Sequence, residues 1–256
     1  MDPIVKTVDI IVEARMNSTR LPGKVCLTAI GKPVLGLLID RLKNVNNIRN
    51  IIIATTTNDD DDQIELIAEH EGVCCFRGSE NDVLGRVLAC AQYFETDVIV
   101  EVTGDNPLSD PTIISDMVNT FLEHDKSIDF LSNDIGCYND SVPIRFPLGI
   151  NVKIFRTSLL SAVSKLTSSP SDREHVVNYI LKNMSDYRIY DYEPSEIYYR
   201  PDLRFTMDYK EDYLLIKKVF EHFNGVSFSG IDVIEYLDLN PDVKKINFDC
   251  RQNTYE

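Results

Sequence analysis

Apolar residues along this chain fall into short, strand-sized runs separated by stripes of helical spacing. Val8 to Val12 is a run rich in β-branched residues that reads as a buried strand. Pro33 then opens a helix whose apolar face is Leu35, Leu38, Ile39 and Leu42, spaced i, i+3, i+4, i+7. Ile51 to Thr55 is a second strand. Asp59 to Asp62 place charge favourably at the start of the next helix, and Gly72 ends it. Val73 to Phe76 reads as a third strand, followed by a helix from about Asn81 to Phe94. Asp97 to Val102 reads as a fourth, and Pro111 starts a helix running to about His124. This alternation over the first 125 residues predicts an α/β fold, a mostly parallel sheet flanked by helices on both faces.

Beyond residue 125 the pattern is less regular. Leu148 to Phe155 and Tyr187 to Tyr192 read as strands, and Asp172 to Met184 and Lys210 to Phe223 as helices. Ser132 to Arg145 is a long, turn-rich connection of the kind that often carries function. No composition shift, linker or internal repeat marks a boundary, so residues 1–256 read as a single domain. In open parallel sheets ligands bind beyond the carboxyl ends of the strands. That singles out the loops Ala14–Lys24, Thr55–Asp59, Arg77–Glu80 and Thr103–Asp110.

Composition narrows the function classes. With 26 Lys+Arg against 41 Asp+Glu the formal net charge is −15, which argues against nucleic-acid or anionic-membrane partners. A hydrophobic content of 43% is enough to fill a sizeable core. No apolar run approaches the ~18 residues of a membrane span. Met1-Asp2-Pro3-Ile4 lacks the basic start and long apolar stretch of a signal peptide. The cysteines (Cys26, Cys74, Cys75, Cys90, Cys137, Cys250) form no C-x-x-C pair and the histidines (His70, His124, His175, His222) are scattered, which disfavours zinc. Free thiols and a cytoplasmic location are the expectation.

Within this acidic chain the first loop, Ala14-Arg15-Met16-Asn17-Ser18-Thr19-Arg20-Leu21-Pro22-Gly23-Lys24, carries Arg15, Arg20 and Lys24 and no acid. It matches neither the Rossmann nor the Walker A pattern. Its turn-forming residues can expose backbone N–H groups and its cations supply charge, which suits a triphosphate; a solvated loop with accidental basic bias is the competing reading. Thr103-Gly104-Asp105-Asn106-Pro107-Leu108 sets a carboxylate at the end of an apolar strand, an address for a Mg²⁺ ligand or simply an Asp-initiated turn. Leu203-Arg204-Phe205-Thr206-Met207-Asp208 reads as a short strand ending in a second carboxylate, able to share the metal if the two lie close. Arg173-Glu174-His175 sits at a helix start.

The Ala14–Lys24 run closely resembles the opening motif of CMP-sugar synthetases. More specifically, the chain resembles the spore-coat-polysaccharide (SpsF-like) cytidylyltransferases, relatives of 3-deoxy-manno-octulosonate cytidylyltransferase. Further matches follow in order: Gly31-Lys32-Pro33, Ala54-Thr55-Thr56-Thr57-Asn58, Phe76-Arg77-Gly78-Ser79-Glu80 with Asp82-Val83-Leu84-Gly85-Arg86, the Gly104-Asp105 loop, Arg173-Glu174-His175-Val176, and Leu203–Tyr209 with Glu211-Asp212. The resemblance spans about residues 8 to 223.

It implies a glycosyltransferase-A-like nucleotide-binding fold, CTP as donor, Mg²⁺ and pyrophosphate release, with a nucleotide-binding half at about 1–125 and an acceptor and dimerisation half at about 126–256. Arg15, Ser18, Arg20 and Lys24 would hold the phosphates and Asp105 and Asp208 the metal. Ala14, Thr55, Arg77, Gly78 and Ser79 would lie around the cytidine. Arg15, Lys24 and Asp105 would carry catalysis. A 2-keto sugar acid, or a phosphonate-like acceptor, would meet Arg145, Lys153, Arg173 and His175 through its acidic group. A homodimer is implied, with Tyr187, Tyr190, Tyr192, Tyr198 and Tyr199 as a contact surface or as aromatics flanking strands.

The chain departs from the pattern where relatives often read Pro-x-Gly-x-Asp-x-Glu. Here it has Pro147-Leu148-Gly149-Ile150-Asn151-Val152-Lys153, so two acids are replaced. A nucleotide-sugar-dependent glycosyltransferase and a catalytically silent nucleotide-binding module are the rival readings. The first would need an Asp-x-Asp motif that the Gly104-Asp105 loop lacks, and the second would be favoured by loss of Asp105 or Asp208.

Overall fold

The β-branched run that opens the chain forms β1 (Val8–Glu13), with Val8 to Val12 all buried. This computed structural model describes residues 6–124, 126–137, 142–193 and 195–250. The Met1–Ile4 start and the middle of the Ser132–Arg145 connection lie outside the described residues. After β1 come β2 (Thr28–Ala29), β3 (Lys32–Pro33), α1 (Val34–Leu42), β4 (Asn50–Thr56), α2 (Asp62–Glu71), β5 (Cys74–Gly78), α3 (Val83–Tyr93), β6 (Val98–Thr103) and α4 (Pro111–Glu123). The second half adds β7 (Phe130–Ser132), β8 (Lys153–Arg156), α5 (Thr157–Val163), α6 (Pro170–Glu174), α7 (Asn178–Lys182), β9 (Ile189–Asp191), α8 (Lys210–Phe223), α9 (Gly230–Leu239) and α10 (Pro241–Lys244).

Seven strands form one sheet in the order β5-β4-β1-β6-β8-β7-β9. β1 lies at its centre, parallel to β4 on one side and β6 on the other. β8 alone runs against its neighbours, antiparallel to both β6 and β7. The period-2 geometry of β1 sends Ile10 and Val12 to one face, where they pack with α1, α4, α8 and α9. Ile11 goes to the other, with Ile99, Phe130 and Phe155, under α3, α5 and α7. Burial on both faces is why the strands read as continuous apolar runs, and the mostly parallel α/β architecture is as expected. The helix starts follow local chemistry: the Asp82 carboxylate caps α3 by accepting from Gly85 N at 2.8 Å, and Asp110 caps α4 ahead of Pro111.

Three elements differ from the expectation. Leu148–Phe155 is a strand only in β8, because Gly149 turns the backbone to a φ of +104°. Asp172–Met184 is not one helix but α6 and α7, broken at His175 (φ −110°, ψ 95°). There the buried Asp172 carboxylate gathers Thr167 Oγ1, Asn178 Nδ2 and Lys182 Nζ, a local network that competes with helix continuation. Leu203–Asp208 is not a strand. Its backbone makes isolated bonds to two partners, Leu148 N to Leu203 O at 3.0 Å and Met207 N to Asp105 O at 2.8 Å. Among the tyrosines proposed as a contact surface, Tyr198 is buried, with its hydroxyl donating to Asp110 at 2.7 Å.

A Cβ at Gly149 would collide with the backbone of Phe205 and Thr206, on top of the strain of its positive φ. Gly149→Ala is therefore expected to lower the unfolding free energy by about 2 kcal/mol or more, read by urea denaturation. A loss below about 0.5 kcal/mol, the scale of an ordinary surface substitution, would show that the contact relaxes freely.

Candidate active site

The loops at the carboxyl ends of β1 and β6 open into a cleft of about 700 Å³, within the range of small-molecule sites. The basic loop forms one wall. Its path is held from behind by Asp61, whose buried carboxylate accepts from Met16 N at 2.7 Å and from Thr56 N at 3.2 Å. The Asp59–Asp62 run thus does more than charge a helix start. Within the loop, Gly23 N and Ser18 N both donate to Met16 O, at 2.9 and 3.0 Å. Gly104 is required opposite, because a Cβ there would come within 2.9 Å of Glu13 O and 3.0 Å of the Ala14 Cβ. The close approach lets Gly104 N donate to Glu13 O at 2.8 Å, which sets the next residue, Asp105, at the mouth of the sheet.

Lys24 Nζ donates to Asp105 Oδ2 at 2.6 Å and to Asp208 Oδ1 at 3.0 Å. Burial pulls the Lys24 ammonium toward deprotonation, but Asp105 and Asp208 outweigh it and hold its pKa above the usual lysine value. Asp105 is the mirror case: burial pushes it up, and Lys24, together with hydrogen bonds from Thr103 and the backbone, more than reverses this, leaving it below the usual carboxylate range. Arg20 Nη2 adds a second cation to Asp208 Oδ1 at 2.8 Å. Behind Asp208, Arg204 Nη2 donates to Oδ2 at 2.9 Å, while Arg204 Nε reaches the fully buried Asp212 at 2.9 Å. Asp212 in turn accepts from Asp208 N and Tyr209 N, both at 3.0 Å, so the second carboxylate is braced through its backbone as well.

The rest of the cleft is lined by Glu13, Arg86, Glu101, Asp134, Asn151, Lys153 and the Glu174–His175 pair. Lys153 Nζ lies 3.4 Å from Glu101 Oε1 and 3.8 Å from Asp134 Oδ2. Glu13 is pushed up to about 8, by burial first and by Glu101 second. Burial raises Glu101 too, against the pull of Lys153. The sequence pointed to no role for Glu13, Glu101 or Asp134, and Arg86 stood out only as part of a matched run. The available signal was Glu101, a single acid inside the apolar run Val98-Ile99-Val100-Glu101-Val102.

Of the residues singled out from the sequence, Ala14, Arg15, Ser18, Arg20, Lys24, Asp105, Lys153, His175 and Asp208 all line this one cleft. Thr55, Arg77, Gly78 and Ser79 are not part of its lining. Arg77 is turned to Asp62 at 2.5 Å and Glu65 at 2.9 Å, and it donates to the carbonyls of Thr56 and Asn58. Arg145 also lies elsewhere, engaged by Asp191 and Glu193. Arg173 is spent on Asp82 and Ser164 O, tying α6 to the start of α3. His175 faces the cleft with its pKa lowered, by burial first and by the nearby Lys153 and Arg15 cations, against Glu174.

Among the described residues no group of three or more His, Cys, Asp or Glu side chains is arranged to hold a metal ion. Asp105 and Asp208 nevertheless converge on one cation, the Lys24 ammonium. Two carboxylates with the remaining positions left to phosphate and water is the donor set Mg²⁺ takes, so the residues fit that ion.

The family model described as cytidylyltransferase matches residues 10–237. The spore coat polysaccharide biosynthesis protein SpsF of Bacillus subtilis (strain 168) is 31% identical over 238 residues, covering 91% of this chain and 94% of that protein. The structure of a cytidylyltransferase from Leptospira borgpetersenii serovar Hardjo-bovis (strain JB197) superposes with a TM-score of 0.88 at 35% identity, over 98% of this chain and 100% of the other. A CMP:2-keto-3-deoxy-manno-octonic acid synthetase complexed with CTP shares the fold, with a TM-score of 0.64 at 17% identity over 85% of this chain and 100% of the other.

Glu13 carries a pH signature. Its carboxyl is raised from 4.5 to about 8, with Glu101 and Asp105 adding to the effect of burial and Arg86 and Lys153 opposing it. The folded state therefore keeps a proton that the unfolded chain releases, and stability falls as pH rises between those values. Glu13→Gln removes this loss. The variant should melt level with wild type at pH 4.5 and at least about 2 °C above it at pH 8, by calorimetry. A melting difference independent of pH would refute the assignment.

Proposed function

This chain belongs to the cytidylyltransferase family, and on that premise we propose that it transfers CMP from CTP to an acidic sugar acceptor and releases pyrophosphate. The observation that carries the reading is the Lys24 ammonium clasped by Asp105 and Asp208, with Arg15, Arg20 and Ser18 along the same rim. The relatives' names supply the acceptor class. One acts in spore coat polysaccharide biosynthesis and another is a 3-deoxy-manno-octulosonate cytidylyltransferase, which points to a 2-keto sugar acid on the way to a surface polysaccharide.

An acceptor hydroxyl attacks the α-phosphorus of CTP in line with the departing pyrophosphate. The protein's part in this is positioning and charge neutralisation rather than covalent chemistry. Arg15, Arg20 and Lys24 meet the triphosphate, and Lys24 stabilises the leaving pyrophosphate. Asp105 and Asp208 would hold Mg²⁺, which would supply further charge neutralisation for the phosphates. Because Lys24 begins shared between the two carboxylates, its charge is already desolvated and aimed before the nucleotide arrives.

Incubation of the protein with CTP, Mg²⁺ and a panel of acidic sugars and phosphonates, read by pyrophosphate release and product mass, tests the activity. Asp105→Asn is expected to lower turnover by at least about 100-fold with the melting temperature retained. Lys24→Ala should weaken both turnover and CTP binding. Pyrophosphate release at the wild-type rate by Asp105→Asn would overturn the metal assignment, and unchanged kinetics in Lys24→Ala would overturn the leaving-group role.

A further inference from the structure

The face of the sheet beneath α3, α5 and α7 changes character within one row of residues. Ile99, Phe155 and Phe130 sit side by side across β6, β8 and β7, and all three are fully buried. The next row toward the cleft places Glu101 beside Ile11 of β1 and opposite Lys153 of β8, which in turn faces Ser132 of β7. Glu101 is only 4% exposed. One of its oxygens meets Lys153, while the other, Oε2, is buried with no hydrogen-bond partner among the described residues. Glu13 Oε1 and Arg86 Nε are in the same condition, and all three side chains line the cleft.

A buried polar atom left unpaired costs on the order of 1–3 kcal/mol, so three at one place mark groups kept for something that enters. Their mixture of acceptors and a donor excludes an apolar occupant. The unpaired oxygens of Glu13 and Glu101 call for an occupant that brings O–H donors, whereas phosphates find their cations at Arg15, Arg20 and Lys24. A hydroxyl group both donates and accepts, and adjacent hydroxyls match a pair of carboxyls. We propose that Glu13 and Glu101 form a hydroxyl-binding subsite that seats a polyhydroxylated part of the acceptor and so selects for it. The raised pKa of Glu13 fits this role, since a protonated carboxyl can donate to a sugar oxygen as well as accept. The subsite deepens the proposed function and rests on it for the identity of the bound molecule as an acceptor.

The test measures binding separately from chemistry. The intact protein is saturated with α,β-methylene CTP, which cannot transfer CMP, and titrated by calorimetry with 3-deoxy-manno-octulosonate and with N-acetylneuraminate. At least one of the two should bind. Glu101→Gln and Glu13→Gln should each weaken that binding by 10-fold or more, with the affinity for the nucleotide analogue within 2-fold of wild type. For wild type alone, 2-ketohexanoate keeps the keto acid without the hydroxyls and should bind at least 10-fold more weakly than the sugar. Sugar binding unchanged in both variants, nucleotide affinity falling in step with it, equal binding of 2-ketohexanoate, or no binding of either sugar would each overturn the subsite. Failure of the proposed reaction reads differently: Glu101-dependent sugar binding persists, but CTP gives no CMP-sugar.

Discussion

Lys24 is buried between two carboxylates, and the candidate site depends on that arrangement. The three groups come from the loop after β1, the loop after β6 and the segment before α8, parts of the chain 81 and 184 residues apart from Lys24. An ammonium taken out of water needs opposite charge close by, and two carboxylates drawn together need a cation between them. Each therefore makes the others tolerable. The arrangement is braced from outside, because Met207 N bonds to Asp105 O and Arg204 and Asp212 fasten Asp208 from behind.

Net charge describes this molecule poorly at short range. The chain carries −15 overall, yet one wall of the cleft is the basic Arg15–Lys24 loop, and its acidic wall, with Glu13, Glu101 and Asp134, also holds Arg86 and Lys153. On the basic wall the cations lie at the surface or are shared with acids. On the acidic wall burial suppresses ionisation, so that Glu13 keeps its proton into the neutral range. One cavity thus offers cations to a polyanion and buried carboxyls to hydroxyl groups.

How much of this could be read in advance follows from whether the cause was local. Val8–Val12 and the Leu35, Leu38, Ile39, Leu42 stripe declare themselves because their neighbours in sequence share their surroundings, and all are buried. Asp110 followed by Pro111 announces a helix start in the same way. Leu148–Phe155 and Asp172–Met184 mislead because partners distant in the chain decide their backbone: the Phe205–Thr206 backbone against Gly149, and Lys182 and Thr167 around Asp172. In the site, the basic loop was visible as a cluster of like charges, and Asp105 and Asp208 as acids at loop starts. Their meeting at Lys24 was not, since tertiary contacts alone bring them together. Arg145 and Arg173 carried the right charge for an anionic acceptor, but Asp191, Glu193 and Asp82 already hold them elsewhere.

Arg15 differs from the other cations of the cleft in how loosely it is held. Its one ion pair among the described residues, to Glu174, spans 3.5 Å between side chains that are 37% and 55% exposed. An ion pair so open to water is worth roughly 0–1 kcal/mol, close to thermal energy. Glu174 thus behaves as a rest for the guanidinium rather than a lock on it. The charge is kept pointed at the entrance while remaining available to any stronger anion. An incoming triphosphate can displace the carboxylate at almost no cost, while α6 stays fastened to the start of α3 through Arg173 and Asp82.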